Sequence, residues 1–126
     1  MATNNSCSGD CPIQKEIGTI GNKWGILTIM IIGNNGSIRY SHIMERLVKV
    51  SRKSLAETLK RLERSGMVKK RTYEEFPPHT EYVLTDDGIE LYDALVPLII
   101  WIASRAGDTD CTVLRRTMAR AMMSNG

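Results

Sequence analysis

Apolar residues recur along the chain in blocks whose spacing switches from helical to alternating and back. Ile13, Ile17 and Ile20 are spaced for one stripe of a short first helix, which Gly21-Asn22 interrupts. Lys23 to Ile32 carries Trp24, Ile26, Leu27, Met30 and Ile31 and is apolar nearly all round, the pattern of a central buried helix. Asn34-Asn35-Gly36 then ends it in a tight turn. Ser37 to Tyr40 is extended and long enough only for a minimal strand. A third helix starts at Ser41, a suitable N-cap, and carries Ile43, Met44, Leu47 and Val48. After a four-residue turn, Ser51 caps a fourth helix, Arg52 to Ser65, with the stripe Leu55, Leu59 and Leu62 and a stop at Gly66.

Beyond Gly66 the period becomes two. Met67 to Tyr73 reads as a strand, Glu74 to His79 as a turn stiffened by Pro77-Pro78, and Thr80 to Leu84 as the returning strand. Thr85 caps a long helix from Asp86 to Ala106, with Asp86 and Asp87 at its positive end. Its apolar residues, among them Ile89, Leu98, Trp101 and Ile102, exceed what one side of a small protein can bury, so part of this surface is expected to meet a second subunit. Pro97 is expected to bend it. Thr112 to Met123 forms a last, basic helix.

This order of elements, helix, short turn, helix and two-stranded hairpin, predicts a mainly α fold with a small β-hairpin: a winged helix-turn-helix with terminal dimerisation helices. With 126 residues the chain suits one folded unit. Residues 1–10 read as a flexible leader, 11–106 as the winged domain and 107–126 as a C-terminal dimerisation extension. The longest apolar run, Ala94 to Ala103, is too short to span a membrane, and the polar N-terminus lacks the features of a secretory signal, so a cytoplasmic protein is expected. Three cysteines cannot all pair within one chain, and free thiols are the expectation.

Net charge is only +3, yet Arg46 to Tyr73 holds ten basic residues against two acidic, leaving seven basic and twelve acidic elsewhere. Such asymmetry points to a polyanion meeting one face, with double-stranded DNA as the first candidate partner. At about 100° per residue, Lys53, Glu57, Lys60 and Arg64 lie opposite the leucines of the fourth helix, with Arg61 beside them. Ser51, Arg52, Lys53 and Ser54 at its start are candidates for base edges and phosphate oxygens. Lys60, Arg64, Lys69, Lys70 and Arg71 are candidates for phosphates, with Lys69 and Arg71 on one strand face and Lys70 on the other. His79 is the candidate at the tip of the hairpin. Glu57 is explained by pairing with Lys53 or Arg61, and Trp24 by core packing.

The segments Cys11-Pro12-Ile13, Gly21-Asn22-Lys23-Trp24, Ser37-Ile38-Arg39-Tyr40, Ser51-Arg52-Lys53-Ser54-Leu55 and Leu59-Lys60-Arg61-Leu62-Glu63 follow one another as in HxlR-type transcriptional regulators. Gly66-Met67-Val68, Tyr73 with Pro77-Pro78, Glu81-Tyr82, and Leu84-Thr85 with Gly88 resemble that family's wing and the start of its long helix. The resemblance runs from about Cys11 to Trp101. It implies a homodimeric, prokaryotic DNA-binding repressor or activator, of the MarR-like superfamily, with its terminal helices forming the dimer. The chain departs from the family in having His79-Thr80 where an arginine usually follows the proline pair, and in continuing into the Cys111 to Met123 helix.

Cys11 precedes Pro12 at the start of the first helix, where the helix dipole and Lys15 lower a thiol pKa. The resemblance implies that several family members sense oxidants or electrophiles through a cysteine here, making Cys11 the redox-sensing candidate and Cys7 a resolving thiol. Cys7 and Cys11 would supply half of a metal site in an alternative reading, a metal-responsive regulator of the ArsR kind, but no further ligands of suitable spacing accompany them. A protein-interaction winged helix is the other alternative. No catalytic constellation, glycine-rich phosphate loop or cofactor signature is present, so neither an enzyme nor a cofactor is expected, and any small-molecule effector or oxidant is left unidentified.

Overall fold

One helix with no polar face organises the structure. The computed structural model describes residues 11–21, 23–74, 76–106 and 111–124. Within it α1 spans Pro12–Ile20 and α2 spans Lys23–Asn35. Ile29, Met30, Ile31 and Ile32 of α2 are consecutive and all buried, as the apolar pattern requires. The chain continues through the short strand β1 (Ser37–Arg39), α3 (Tyr40–Arg46) and α4 (Arg52–Arg64). It then forms the hairpin β2 (Val68–Tyr73) and β3 (His79–Leu84), the long helix α5 (Asp86–Ala106) and α6 (Thr112–Ser124). Helices α4, α5 and α6 all pack on α2, and the core gathers Ile43, Leu55, Leu59, Leu62, Tyr92, Leu95 and Ile99 around it.

Four details differ from the sequence reading. The central helix runs to Asn35 because Asn35 Nδ2 donates to Ile31 O at 2.6 Å and secures one more turn. The third helix begins at Tyr40, behind Arg39 as an N-cap without a side-chain bond, so Ser41 lies inside it. It also ends at Arg46: Leu47 leaves the helical conformation yet stays buried, Val48 is exposed, and Lys49 turns the chain in the left-handed region at φ 72°. Finally, β1 joins the hairpin, giving an antiparallel sheet in the order β1-β3-β2. Three residues suffice because Ile38 pairs with Tyr82 and both are buried.

The helical ends follow the expected chemistry. Thr85 Oγ1 accepts from Gly88 N at 3.0 Å, capping α5, and Asp86 and Asp87 occupy its first turn. Pro97 lies on an exposed side of α5, which continues through it. Helix α6 is part of the core, with Val113 and Thr117 buried. Ile13 and Ile17 of α1, Trp101 of α5 and Met122 and Met123 of α6 stay largely exposed.

Helix α5 comes close to α2 at Gly33, where a Cβ would fall 2.2 Å from Cδ2 of Tyr92. The ring rests on bare backbone. Gly33→Ala is therefore expected to cost about 1–3 kcal/mol by overpacking, read as a lower urea midpoint with an unchanged slope. A midpoint equal to the parent's would show that the ring does not need this contact.

Candidate nucleic-acid interface

Helix α4 is held by its apolar stripe and by both ends. Leu55, Thr58, Leu59 and Leu62 are buried. At its start Ser51 takes extended geometry, its Oγ accepts from Ser54 N at 3.0 Å, and its hydroxyl donates to Ser54 Oγ at 3.0 Å. Tyr40, the first residue of α3, donates its hydroxyl to Arg52 O at 3.0 Å, so the two helices are pinned where α4 begins. The sequence reading missed this role of Tyr40, because a contact across twelve residues leaves no periodic signal. With its inner face fixed, α4 presents Arg52, Lys53, Glu57, Lys60 and Arg64 to solvent. Arg61 turns aside to the end of α1: a Cβ on Gly21 would lie 2.6 Å from its Cζ.

The hairpin is tied to the far end of α4. Gly66 turns the chain at φ 79°, Met67 N donates to Leu62 O at 2.9 Å, and Thr85 N donates to Met67 O at 3.0 Å. The Thr85 hydroxyl donates to Gly66 O as well, so the end of α4, the root of β2 and the start of α5 share one junction. From that root β2 buries Val68 and exposes Lys69, Lys70, Arg71 and Thr72.

Register sorts these cations. Lys69 pairs with Val83, Lys70 with Tyr82 and Arg71 with Glu81, so Lys69 and Arg71 share a face and Lys70 takes the other, as alternation predicts. On that other face Lys70 Nζ lies 3.9 Å from Glu63 Oε1 of α4, a weak surface pair. The structure thus brings the exposed cations of α4 and β2 together on adjoining elements.

His79 is placed differently from expectation. It is the first residue of β3, opposite Tyr73, and its ring stacks on that tyrosine with centroids 4.8 Å apart. Its Nε2 lies 3.2 Å from Glu81 Oε2, and Glu81 accepts from the Ser37 hydroxyl at 2.9 Å. The Ser37 hydrogen bond, followed by the His79 contact, holds the Glu81 carboxyl below the usual carboxylate range against the opposing effect of burial. The tip carries Phe76 instead, which is 99% exposed. The proline-rich turn concealed it, since an apolar residue there belongs to no stripe.

Cys11 stands at the N-cap of α1 and is disulfide-bonded, which corrects the expectation of a free thiol there; Cys7 lies outside the described residues. Cys111 carries an exposed thiol before α6. Among the described residues no group of three or more His, Cys, Asp or Glu is placed to hold a metal ion, and no helix is long and apolar enough to cross a membrane.

Residues 19–110 match the HxlR-like helix-turn-helix family. The chain belongs to that family of transcriptional regulators. A helix-turn-helix-type transcriptional regulator of Methanothermobacter thermautotrophicus is 34% identical over 91 residues, 72% of this chain and 69% of that protein. Among solved structures, Salmonella typhimurium YtfH, named as a transcriptional regulator, is 30% identical with a TM-score of 0.68, over 79% of this chain and 88% of that one. The redox regulator HypR in its oxidised form is 25% identical with a TM-score of 0.69, over 79% of this chain and all of that one.

In this HxlR-like regulator α3 and α4 are the helix-turn-helix and β2–β3 the wing. Because Ser51 alone satisfies the Ser54 N–H at the head of α4, Ser51→Ala is expected to cost about 1 kcal/mol. Chemical denaturation reads the loss, and Ser51→Asp, which can still accept that N–H, should restore most of it.

Proposed function

We propose that this HxlR-like regulator works as a homodimer that binds a pseudo-palindromic operator, with α4 of each subunit in the major groove and the wing along the flanking backbone. The observation that carries the reading is the adjoining set of exposed cations on α4 and β2, on elements pinned to each other through Gly66, Met67 and Thr85. Arg52 and Lys53 reach base edges, and Ser51 and Ser54 add phosphate contacts from the helix start. Lys60, Arg64, Lys69 and Arg71 meet phosphates. Lys70 and His79 engage DNA only by exchanging Glu63 and Glu81 for phosphate oxygens. Residues 11–106 carry DNA reading, and the exposed apolar surface of α1, α5 and the end of α6 in residues 107–126 supplies the subunit contact. Reading chromosomal DNA places the protein in the cytoplasm.

Duplexes selected from the host promoter region test this reading in gel shifts at rising salt. The Arg52→Ala, Lys53→Ala double variant is expected to bind about a hundredfold more weakly while remaining a dimer by light scattering. Alanine at Lys60 or Lys69 should lower the salt slope by about one unit each, with sequence preference intact. A parent protein that binds random and promoter duplexes equally would favour a protein-interaction module instead.

Cys11 makes binding responsive to oxidant. Its disulfide in the structure and the likeness to HypR, titled a redox regulator, support this. Two thiols yield one disulfide by giving two electrons and two protons to the oxidant, for example diamide, and dithiothreitol reverses the change. Operator affinity should differ between diamide- and dithiothreitol-treated protein, and Cys11→Ser should abolish that difference. A difference that persists in the serine variant removes Cys11 from the mechanism.

A further inference from the structure

The charge of the wing changes sign along its length. Lys69, Lys70 and Arg71 stand exposed on β2, but past Thr72 the chain reads Tyr73-Glu74-Glu75-Phe76-Pro77-Pro78 and carries no lysine or arginine. This stretch cannot hold a phosphate by charge, and the exposed Glu74 would repel one. What the tip offers instead is apolar surface. Phe76 is 99% exposed, and Pro77 and Pro78 beside it are exposed as well. A phenyl ring left wholly in water is stabilised by any apolar surface that covers it.

Two features suit this tip to a confined apolar space. Proline has no N–H, so burying Pro77 and Pro78 strands no backbone donor, and their fixed φ leaves little freedom to lose. Below the tip the hairpin is braced. The His79 ring stacks on Tyr73 at 4.8 Å, its Nε2 lies 3.2 Å from Glu81 Oε2, and the Thr72 and Thr80 hydroxyls meet at 3.5 Å across the strands. The 6 residues of β2, at about 3.3 Å each, carry the tip roughly 17–20 Å beyond the Gly66 junction with α4. Half a turn of duplex is about 17 Å. With α4 in the major groove, the tip therefore has the reach of the neighbouring minor groove.

We propose that Phe76 is a wedge, inserted from the minor groove between two base pairs that flank the half-site, which it partly unstacks and bends. The inference rests on the DNA-binding reading of α4 and β2 and adds to it a contact that no charge makes. Lys69 and Arg71 on the same limb hold flanking phosphates while the ring enters. Pyrimidine–purine steps unstack most easily, so the flank of the operator is read by its deformability.

The full chain is bound to a promoter duplex carrying 2-aminopurine at one flanking position at a time, and gel shifts at rising salt give affinity and slope. The parent is expected to raise 2-aminopurine emission at one step on each side of the site and to bend the duplex, read by energy transfer between dyes at its ends. Phe76→Ala should keep the parent's thermal midpoint and dimer, since the ring is exposed. It should bind about tenfold more weakly, lose the emission rise and most of the bend, and retain the salt slope. Phe76→Leu should lie between the two. A stiff A-tract in place of the unstacked step should weaken the parent and leave Phe76→Ala nearly unaffected. A parent that prefers the promoter duplex while Phe76→Ala equals it in affinity, emission and bend overturns the wedge alone, and leaves the tip to a protein contact. Absence of an emission rise in the parent, or its persistence in Phe76→Ala, also overturns it. So does a lower salt slope in the variant, which would trace the loss to displaced Lys69 or Arg71. A parent that binds random and promoter duplexes equally overturns the wedge and the reading beneath it together.

Discussion

Burial of α2 on every side is the constraint from which the rest follows. A helix with Ile29, Met30, Ile31 and Ile32 in succession has no face to give to water, so other elements must cover it all round. Burying four such side chains is worth several kcal/mol by area, and it is available only if α4, α5 and α6 arrive together. That requirement explains Gly33. Where α5 crosses, the helix must be bare for the Tyr92 ring to close the layer, and a small residue at one position sets the depth at which the long helix sits.

The same requirement positions the charged surface. Helix α4 spends its leucines on the core and so has its cations left for solvent; it cannot rotate without exposing Leu55, Leu59 and Leu62. The hairpin inherits its direction from the end of that helix through backbone bonds at Gly66, Met67 and Thr85, which no side-chain substitution on the wing disturbs directly. Surface chemistry on α4 and β2 is thereby free to vary while the geometry of the pair is retained.

What could be read from the sequence was local. The Ser51 cap, the leucine stripe of α4, the stop at Gly66 and the full extent of α5 each leave a signal within one or two turns, and each is where that signal puts it. The misplaced features depend on distant partners. The minimal strand expected at Ser37 to Arg39 is present, but its pairing with the hairpin depends on β3 offering Tyr82 opposite Ile38, and α3 stops at Arg46 with Leu47 buried outside helical geometry and Val48 exposed. His79 carried the chemistry of a tip residue, and only the pairing with Tyr73 and the bond to Glu81 show it to be a strut within the wing. Asn35 looked like turn punctuation, since nothing in its neighbourhood announces arginines from eleven and eighty-one residues away.

Helix α6 ties these strands of argument together. As a sequence it was an appendix beyond the usual end of the family pattern, basic and weakly amphipathic. In the structure it buries Val113 and Thr117, bonds to both asparagines at the end of α2, and leaves Met122 and Met123 outside. A helix serving only to join subunits would have no use for a hydrogen-bonded hold on Asn34 and Asn35. Its inner face instead shares an acceptor with Arg46 of the helix-turn-helix, so any shift of α6 must be answered at the last turn of α3 or at Asn35. Two guanidiniums on one amide oxygen form a joint weaker than an ion pair, because their mutual repulsion opposes the bonds they make. A joint of that kind couples the last turn of α3 to α6 through one shared acceptor, Asn35 Oδ1, and not through paired charge.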